Sequence, residues 1–262
     1  MRRKLSSFAW LALAVLLALC PAGAAAQSVR GDIDWDGDFD VADLSYLIDY
    51  LLQGEWNDVP VDLERRTFTV NGVSFEMVHV EAGTLTRDDG GVYYVPDFWI
   101  ATTEVTRELW AAVNGGTPDG PRKPLTMHSW TECQAFNDSL SALTGIPFRF
   151  PTSIEWEFAA RGGIHSRGFT YSGCNNPKLV ASYSGNNLGI LPVASLRCNE
   201  LGIYDMSGNV SEWCKDGPWD GVRYYCGGNC ESDMWNIRPN SRNYIGPSST
   251  GRAHGFRLAF SQ

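Results

Sequence analysis

The chain has 262 residues, a formal net charge of −9 and seven cysteines, with ten tryptophans among its aromatics. An acidic balance without Lys/Arg clusters argues against nucleic acid, because phosphate binding needs concentrated positive charge. Beyond the leader no run approaches the roughly 20 apolar residues that a membrane span requires.

Residues 1–26 read as a secretory signal: Arg2, Arg3 and Lys4, the apolar run "FAWLALAVLLALC", then "AGAAAQ" with small residues for cleavage. A secreted, periplasmic or cell-surface location is the expectation. A lipid anchor on Cys20 is the competing reading, but Leu19 stands where such signals want a small residue. Cleavage removes three positive charges, taking −9 to −12, and Cys20 with them. Cys133, Cys174, Cys198, Cys214, Cys226 and Cys230 then lie in an oxidising compartment, where disulfides persist.

Residues 27–57 carry "GDIDWDGDFDVADLSYLIDYLLQGEW". Asp32, Asp34, Asp36, Asp40 and Asp43 fall at the carboxylate positions of an EF-hand-like loop, Asp38 offers a carbonyl, and Gly37 sits at the sharp turn. Hard Ca²⁺ suits this oxygen set, and carboxylates so dense repel one another without a cation. A merely solvated acidic linker explains neither Gly37 nor the helix that follows. Leu44, Leu47, Ile48, Leu51 and Leu52 make one apolar stripe on that helix. Loop and helix resemble one repeat of a type I dockerin, with Asp at the last loop position instead of Glu. Dockerins that bind cohesins carry two repeats and this chain has one, so cohesin is not the expected partner. A calcium-clamped helix that packs on its neighbour is the plainer reading.

Residues 58–66 form a short polar linker, and 67–262 the main domain. Asn71 and Gly72 mark a hairpin between strand-like runs. Ser129 with Glu132, and Thr152 with Glu155, form capping boxes that open two helices. The first has an apolar stripe of Trp130, Cys133, Phe136, Leu140 and Leu143 and stops at Gly145; the second ends at Gly162. The class is α+β with many turns.

Seven blocks then occur in order: "MVHVEAGTL", "FWIATTEVTRELWAAVNG", "KPLTMHSWTECQAF", "FRFPTSIEWEFAARGG", "NELGIYDMSGNVSEWCKD", "GGNCESDMWNIRPNSRN" and "GFRLAF". Together they resemble the formylglycine-generating enzyme, or sulfatase-modifying factor, family across residues 75 to 260. The resemblance implies that family's variant of the C-type lectin fold, low in regular secondary structure, with Trp99, Trp110, Trp130, Trp156 and Trp213 in its core. It also implies a calcium site on Asp205, the Gly208 and Val210 carbonyls, and Glu212. The alternative is a calcium-free turn in which the two carboxylates accept backbone N–H groups. A second family calcium is not expected, because "YSGNNLGILPV" is too short to build its loop. The sequon at Asn209 overlaps the calcium block and reads as incidental.

The family's enzymes oxidise a substrate cysteine with copper and oxygen through two cysteines that follow the "GGS" block. Here Gly227 and Gly228 anchor the match, Asn229 takes the serine place, and Ser232 and Ile237 take the cysteine places. Neither is a soft ligand for Cu(I), so no copper is expected. Cys230 lies two residues early, a shift of several ångströms along a strand. A structural disulfide is the reading favoured for Cys226 over a redox-active or metal-binding pair with Cys230. Cys226 and Cys214 are equidistant from Asp220 in "SEWCKDGPWDGVRYYCGG", which reads as a hairpin and makes them a candidate cross-strand disulfide. Cys230 would then pair with Cys198 or Cys174, leaving Cys133 a buried thiol.

Histidines 79, 128, 165 and 254 are scattered and form no zinc or iron pattern. The expected function is a non-catalytic, calcium-stabilised binding protein for an unknown protein or glycan. Arg238, Arg242 and Arg257 read as the scaffold of its last segment. Glu231, Ser232, Asp233, Trp235, Asn236, Asn240, Asn243, Tyr244 and Ile245 supply a contact face of small polar and aromatic side chains. That composition also resembles the variable proteins of diversity-generating retroelements. Alternatives are a formylglycine-generating oxidase acting on exported sulfatases, and a dockerin-bearing component of a polysaccharide-degrading assembly.

Overall fold

A computed structural model describes residues 63–261; the signal segment and the acidic loop with its helix lie outside the described residues. Strand β1 (Arg65–Val70) turns through Asn71 and Gly72 into β2 (Val73–Val80). Both turn residues have positive φ, 47° and 85°, the left-handed pair that a tight hairpin demands. β1 begins inside the stretch read as linker, because Arg65 already pairs with Val78 and its guanidinium reaches Glu76 at 2.6 Å.

β3 (Gly83–Thr86) and β4 (Val92–Val95) form a separate hairpin. β5 (Phe98–Ala101) returns to the free edge of β2, and β12 (Ala259–Phe260), near the end of the chain, pairs with β5. The first sheet therefore runs β1-β2-β5-β12 and joins the two ends of the domain. Between them lie α1 (Arg107–Asn114), α2 (Trp130–Thr144), α3 (Ser153–Ala160) and α4 (Pro177–Val180), then the short parallel pair β6 (Ala181–Ser182) and β7 (Ser207–Gly208). The second sheet is β10-β9-β8-β11, from β8 (Ser211–Trp213), β9 (Arg223–Cys226), β10 (Arg242–Ile245) and β11 (His254–Gly255). No helix among the described residues is long and apolar enough to cross a membrane.

Both capping boxes form. The Ser129 hydroxyl accepts the Glu132 N–H while the Glu132 carboxylate accepts the Ser129 N–H at 2.8 Å, and Thr152 and Glu155 repeat the exchange at α3. Gly145 ends α2 in the left-handed conformation. Two expectations shift. α3 stops at Ala160, two residues before Gly162, and Leu143 is exposed because the last turn of α2 runs past the core that buries Cys133, Phe136 and Leu140. Burial pushes the Cys133 thiol far up, so it stays protonated and inert.

Two aromatic-rich clusters fill the interior. One gathers Trp99, Phe136, Phe150, Trp213, Phe256 and Phe260, with Trp110 and Trp130 packed at its margin. The other surrounds Trp156. Between them runs a wholly buried ion pair. Arg257 Nε and Nη2 donate to the two oxygens of Glu212 at 2.6 Å each, and its remaining N–H groups reach the Ala101 and Tyr204 carbonyls. Glu212 also accepts the Trp156 indole N–H at 2.6 Å. This pair ties β8, β5, α3 and the 204 loop to the segment that leads into β12.

The candidate disulfide pair does meet, but not face to face. Glu212 lies opposite Cys226 and Trp213 opposite Tyr225, which centres the hairpin on Trp219 rather than Asp220. Cys214 therefore sits opposite Tyr224, whose carbonyl accepts its N–H at 2.9 Å. An offset of two keeps both side chains on one face of the sheet, and the two sulfurs touch at 3.5 Å in the core.

Arg257→Met should cost about 3–5 kcal/mol in denaturant unfolding, because Glu212 is left buried and unpaired. Adding Glu212→Gln should recover part of that loss, and strict additivity would refute the coupling. Refolding the chain in a thiol–disulfide buffer should yield a Cys214–Cys226 linked peptide and a stability gain of about 2–3 kcal/mol. Peptide mapping that finds either cysteine joined elsewhere would refute the pairing.

Candidate functional site

The segment after β9 opens on Gly227 and Gly228, with φ of 83° and 63°. A side chain on Gly227 would strike the Trp156 ring at 2.9 Å, and one on Gly228 the Asn236 carbonyl at 2.4 Å. Glycine is required at both by space as well as by conformation. The chain then folds into a compact turn: the Asn229 N–H donates to the Ser232 hydroxyl, Asn229 Oδ1 accepts the Glu231 N–H, and the Cys230 N–H reaches the Asn209 carbonyl. Ser232 is thus held by the turn, and its carbonyl accepts the Ser184 N–H. Ile237 is fully buried.

Beyond this turn the segment faces outward. Glu231, Asp233, Trp235 and Asn236 are exposed, and the Asp233 carboxylate accepts the N–H groups of Trp235 and Asn236, fixing a local turn. Arg238 stacks on Trp235, its guanidinium carbon 4.1 Å from the ring centre. Asn240 donates to Asp88, and its carbonyl accepts from Arg87, whose Nε pairs with buried Glu157 at 2.7 Å. The β3–β4 turn is thereby bound to the C-terminal segment. On edge strand β10, Asn243 and Tyr244 are exposed, while Ile245 is half-buried against the core. Arg242 stacks on Tyr224.

Sequence reasoning missed Trp219, Asp88 and Met234. Trp219 is 57% exposed and meets Tyr244 edge-on at 4.8 Å. Its signal was an aromatic residue in a polar turn, where no core can claim it.

The block around Asp205 is buried apart from the half-exposed Tyr204. Asp205, Glu104 and Glu212 set three carboxyls against the single guanidinium of Arg257, all wholly or almost wholly out of solvent. Asp205 accepts the Ala194 N–H at 2.7 Å, and Glu104 accepts the Asn209 amide at 2.8 Å through one oxygen while the other has no hydrogen-bond partner. Burial, reinforced by the neighbouring carboxylates, pushes Glu104 well above the usual carboxylate range, and burial likewise raises Asp205. Asn209 is 1% exposed and hydrogen-bonded, so the sequon is not open to glycosylation in the folded domain.

The calcium set read from the resemblance does not fit this arrangement, because both Glu212 oxygens are engaged by Arg257, one of them also by Trp156. Among the described residues no three His, Cys, Asp or Glu side chains gather as a metal site. Burial and the neighbouring carboxylates favour the protonated form of Glu104 here. A carboxyl whose folded pKa is raised contributes stability that is whole below the ordinary carboxylate range and is lost as pH climbs through the raised value. In chelator, Glu104→Gln should therefore raise Tm at pH 8 by about 2–4 °C and leave it nearly unchanged at pH 5. A loss at both pH values would show that Glu104 is needed ionised.

Comparison with known proteins places the fold. The chain matches the sulfatase-modifying factor enzyme 1-like domain over residues 64–262. It is 32% identical to a protein named chaperone protein LppX of Paenibacillus barcinonensis, over 54% of this chain and 71% of that protein. It is 30% identical to the formylglycine-generating enzyme of Thermomonospora curvata over 53% of this chain, spanning about half (47%) of that enzyme's length. Among solved structures, Treponema denticola variable protein 1 superposes with a TM-score of 0.67 at 25% identity, over 78% of this chain and all of that one. PvdO from Pseudomonas aeruginosa superposes with a TM-score of 0.63 at 23% identity, over 75% of this chain and 98% of that one. The fold is the α+β, C-type lectin-like architecture of these neighbours, and the chain belongs to the sulfatase-modifying factor, or formylglycine-generating enzyme, family.

Proposed function

We propose that this chain is an exported, non-catalytic binding protein that presents the 231–244 segment and Trp219 to a protein or glycan ligand. The observation that carries this reading is the fate of the thiols. The two positions that the family's enzymes fill with cysteine hold Ser232, locked in the Asn229 turn, and Ile237, buried in the core. Neither remaining cysteine substitutes as a pair: Cys226 is buried with its sulfur against Cys214, while Cys230 lies on a surface cavity. Metal bonds tolerate only tenths of an ångström, so two thiols directed to different environments make a poor copper site.

The likeness to a variable protein supports a binding face built on this scaffold, and the likeness to a protein named a chaperone supports a protein ligand. Exposed Trp235 and Tyr244 are the natural anchors, since rigid aromatics give contact area at little entropic cost. Calcium belongs to this reading at the Asp32–Asp43 loop, as a clamp on the helix behind it. A diversified C-terminal segment would be revealed by a near-copy of its coding sequence beside the gene that differs at adenines. A cohesin pull-down should come back empty.

The oxidase reading is tested directly. Full-length protein given Cu(I), oxygen and a sulfatase-type cysteine peptide should consume no oxygen above the buffer rate and should form no formylglycine by mass spectrometry. Turnover that disappears in Cys230→Ser would overturn the non-catalytic reading.

A further inference from the structure

We propose that the cavity walled by Lys123, Ile190, Cys230, Glu231 and Arg252 binds a small oxyanion-bearing group: a carboxylate, sulfate or phosphate. It encloses about 360 Å³. Most arginines of the domain are already engaged, and the uncommitted Lys178 and Lys215 lie outside this cavity. Arg65, Arg87, Arg149, Arg161 and Arg257 are each paired with a carboxylate, and Arg223, Arg238 and Arg242 lie over aromatic rings. Lys123 and Arg252 have neither an acidic partner nor a side-chain hydrogen bond among the described residues. In a chain of net charge −9, two uncommitted cations lining one concavity form a local reversal of sign.

The fold builds this convergence from four distant segments. The Val193 N–H donates to the Arg122 carbonyl at 2.9 Å, drawing the 187–193 loop against Lys123. Asn209 holds the next two walls: its side-chain oxygen accepts the Leu191 N–H, and its carbonyl accepts the Cys230 N–H. The Ser211 N–H then fixes the Ala253 carbonyl, setting Arg252 at the rim. Like charges brought together by a rigid frame repel, and a bound anion offsets that cost through charge-assisted hydrogen bonds. Glu231 also lines the cavity, which leaves two formal positive charges against one negative. The Cys230 thiol senses both signs: burial and Glu231 push its pKa up, and Arg252 pulls it down. The cavity shares Glu231 with the proposed ligand face, so this inference deepens that reading by naming the ligand's chemistry.

Cys230 serves as a built-in reporter. After reduction of the full chain, its alkylation by anionic iodoacetate and by neutral iodoacetamide is followed at low salt by peptide mass spectrometry, in wild type and in Lys123→Gln/Arg252→Gln. The iodoacetate-to-iodoacetamide rate ratio should fall on the order of threefold to tenfold in the double variant. An unchanged ratio, or a Cys230 that neither reagent reaches, overturns the proposal. A second measurement compares thermal shifts in sulfate, phosphate and acetate against chloride at matched ionic strength. A shift seen in wild type and lost in the double variant supports the site, and the most effective anion tells a sulfated from a phosphorylated or carboxylated ligand. Equal shifts in both proteins overturn it. Failure here, with the copper assay still negative, removes the cavity and leaves the non-catalytic reading standing.

Discussion

The buried Glu212–Arg257 pair is the constraint on which the domain depends. A guanidinium at zero exposure survives only where its donors are met, and Arg257 meets them with one carboxylate and two carbonyls from β5 and the 204 loop. Because Glu212 sits on β8 and Arg257 just ahead of β12, the pair joins the second sheet to the strand that completes the first. With so little regular secondary structure, such side-chain ties stand where long ladders of backbone hydrogen bonds would otherwise hold loops in place. The same pair claims the carboxylate that a calcium ion would need, and burial beside two other carboxyls raises the pKa of Glu104.

From that centre the C-terminal segment is hung outward. Gly227 and Gly228 pass where no side chain fits, the Asn229 turn tightens the chain, and Ile237 plugs it back into the core. Ser232 is thus spent on turn formation and Ile237 on packing. What remains for solvent is a set of aromatic and small polar side chains on a rigid base, which is the physical requirement for binding with little loss of freedom. Asn209 shows the economy of the arrangement: one buried amide bonds Glu104 on one side and, with its carbonyl, braces the walls of the cationic cavity on the other.

Local signals in the sequence carried far. The two capping boxes, the Asn-Gly hairpin and the Gly145 stop are set by neighbouring backbone and side-chain atoms, and each forms as read. The ordered motif blocks identified the family, and they placed Trp99, Trp156 and Trp213 in the core. Cys214 and Cys226 were legible as neighbours, their thiols free and in contact, even though the hairpin's centre was misplaced by one residue, because an offset of two returns a side chain to the same face.

Other features had no local signature. Which carboxylate Arg257 would claim, that Glu104 would be buried without a donor for one oxygen, and that Lys123 would come to share a cavity with Arg252 all depend on contacts between residues far apart in the chain. Ile245 shares its strand face with exposed Asn243, yet it is half-buried because the aromatic cluster packs against it. By itself the sequence determined the elements, the family and the absence of cysteine at the two reactive positions, because these are properties of residue type and short-range spacing. Only the tertiary structure decided how buried charge is balanced and which cations stay uncommitted, because a charge's partner is chosen by burial and by the long-range packing that brings it within reach.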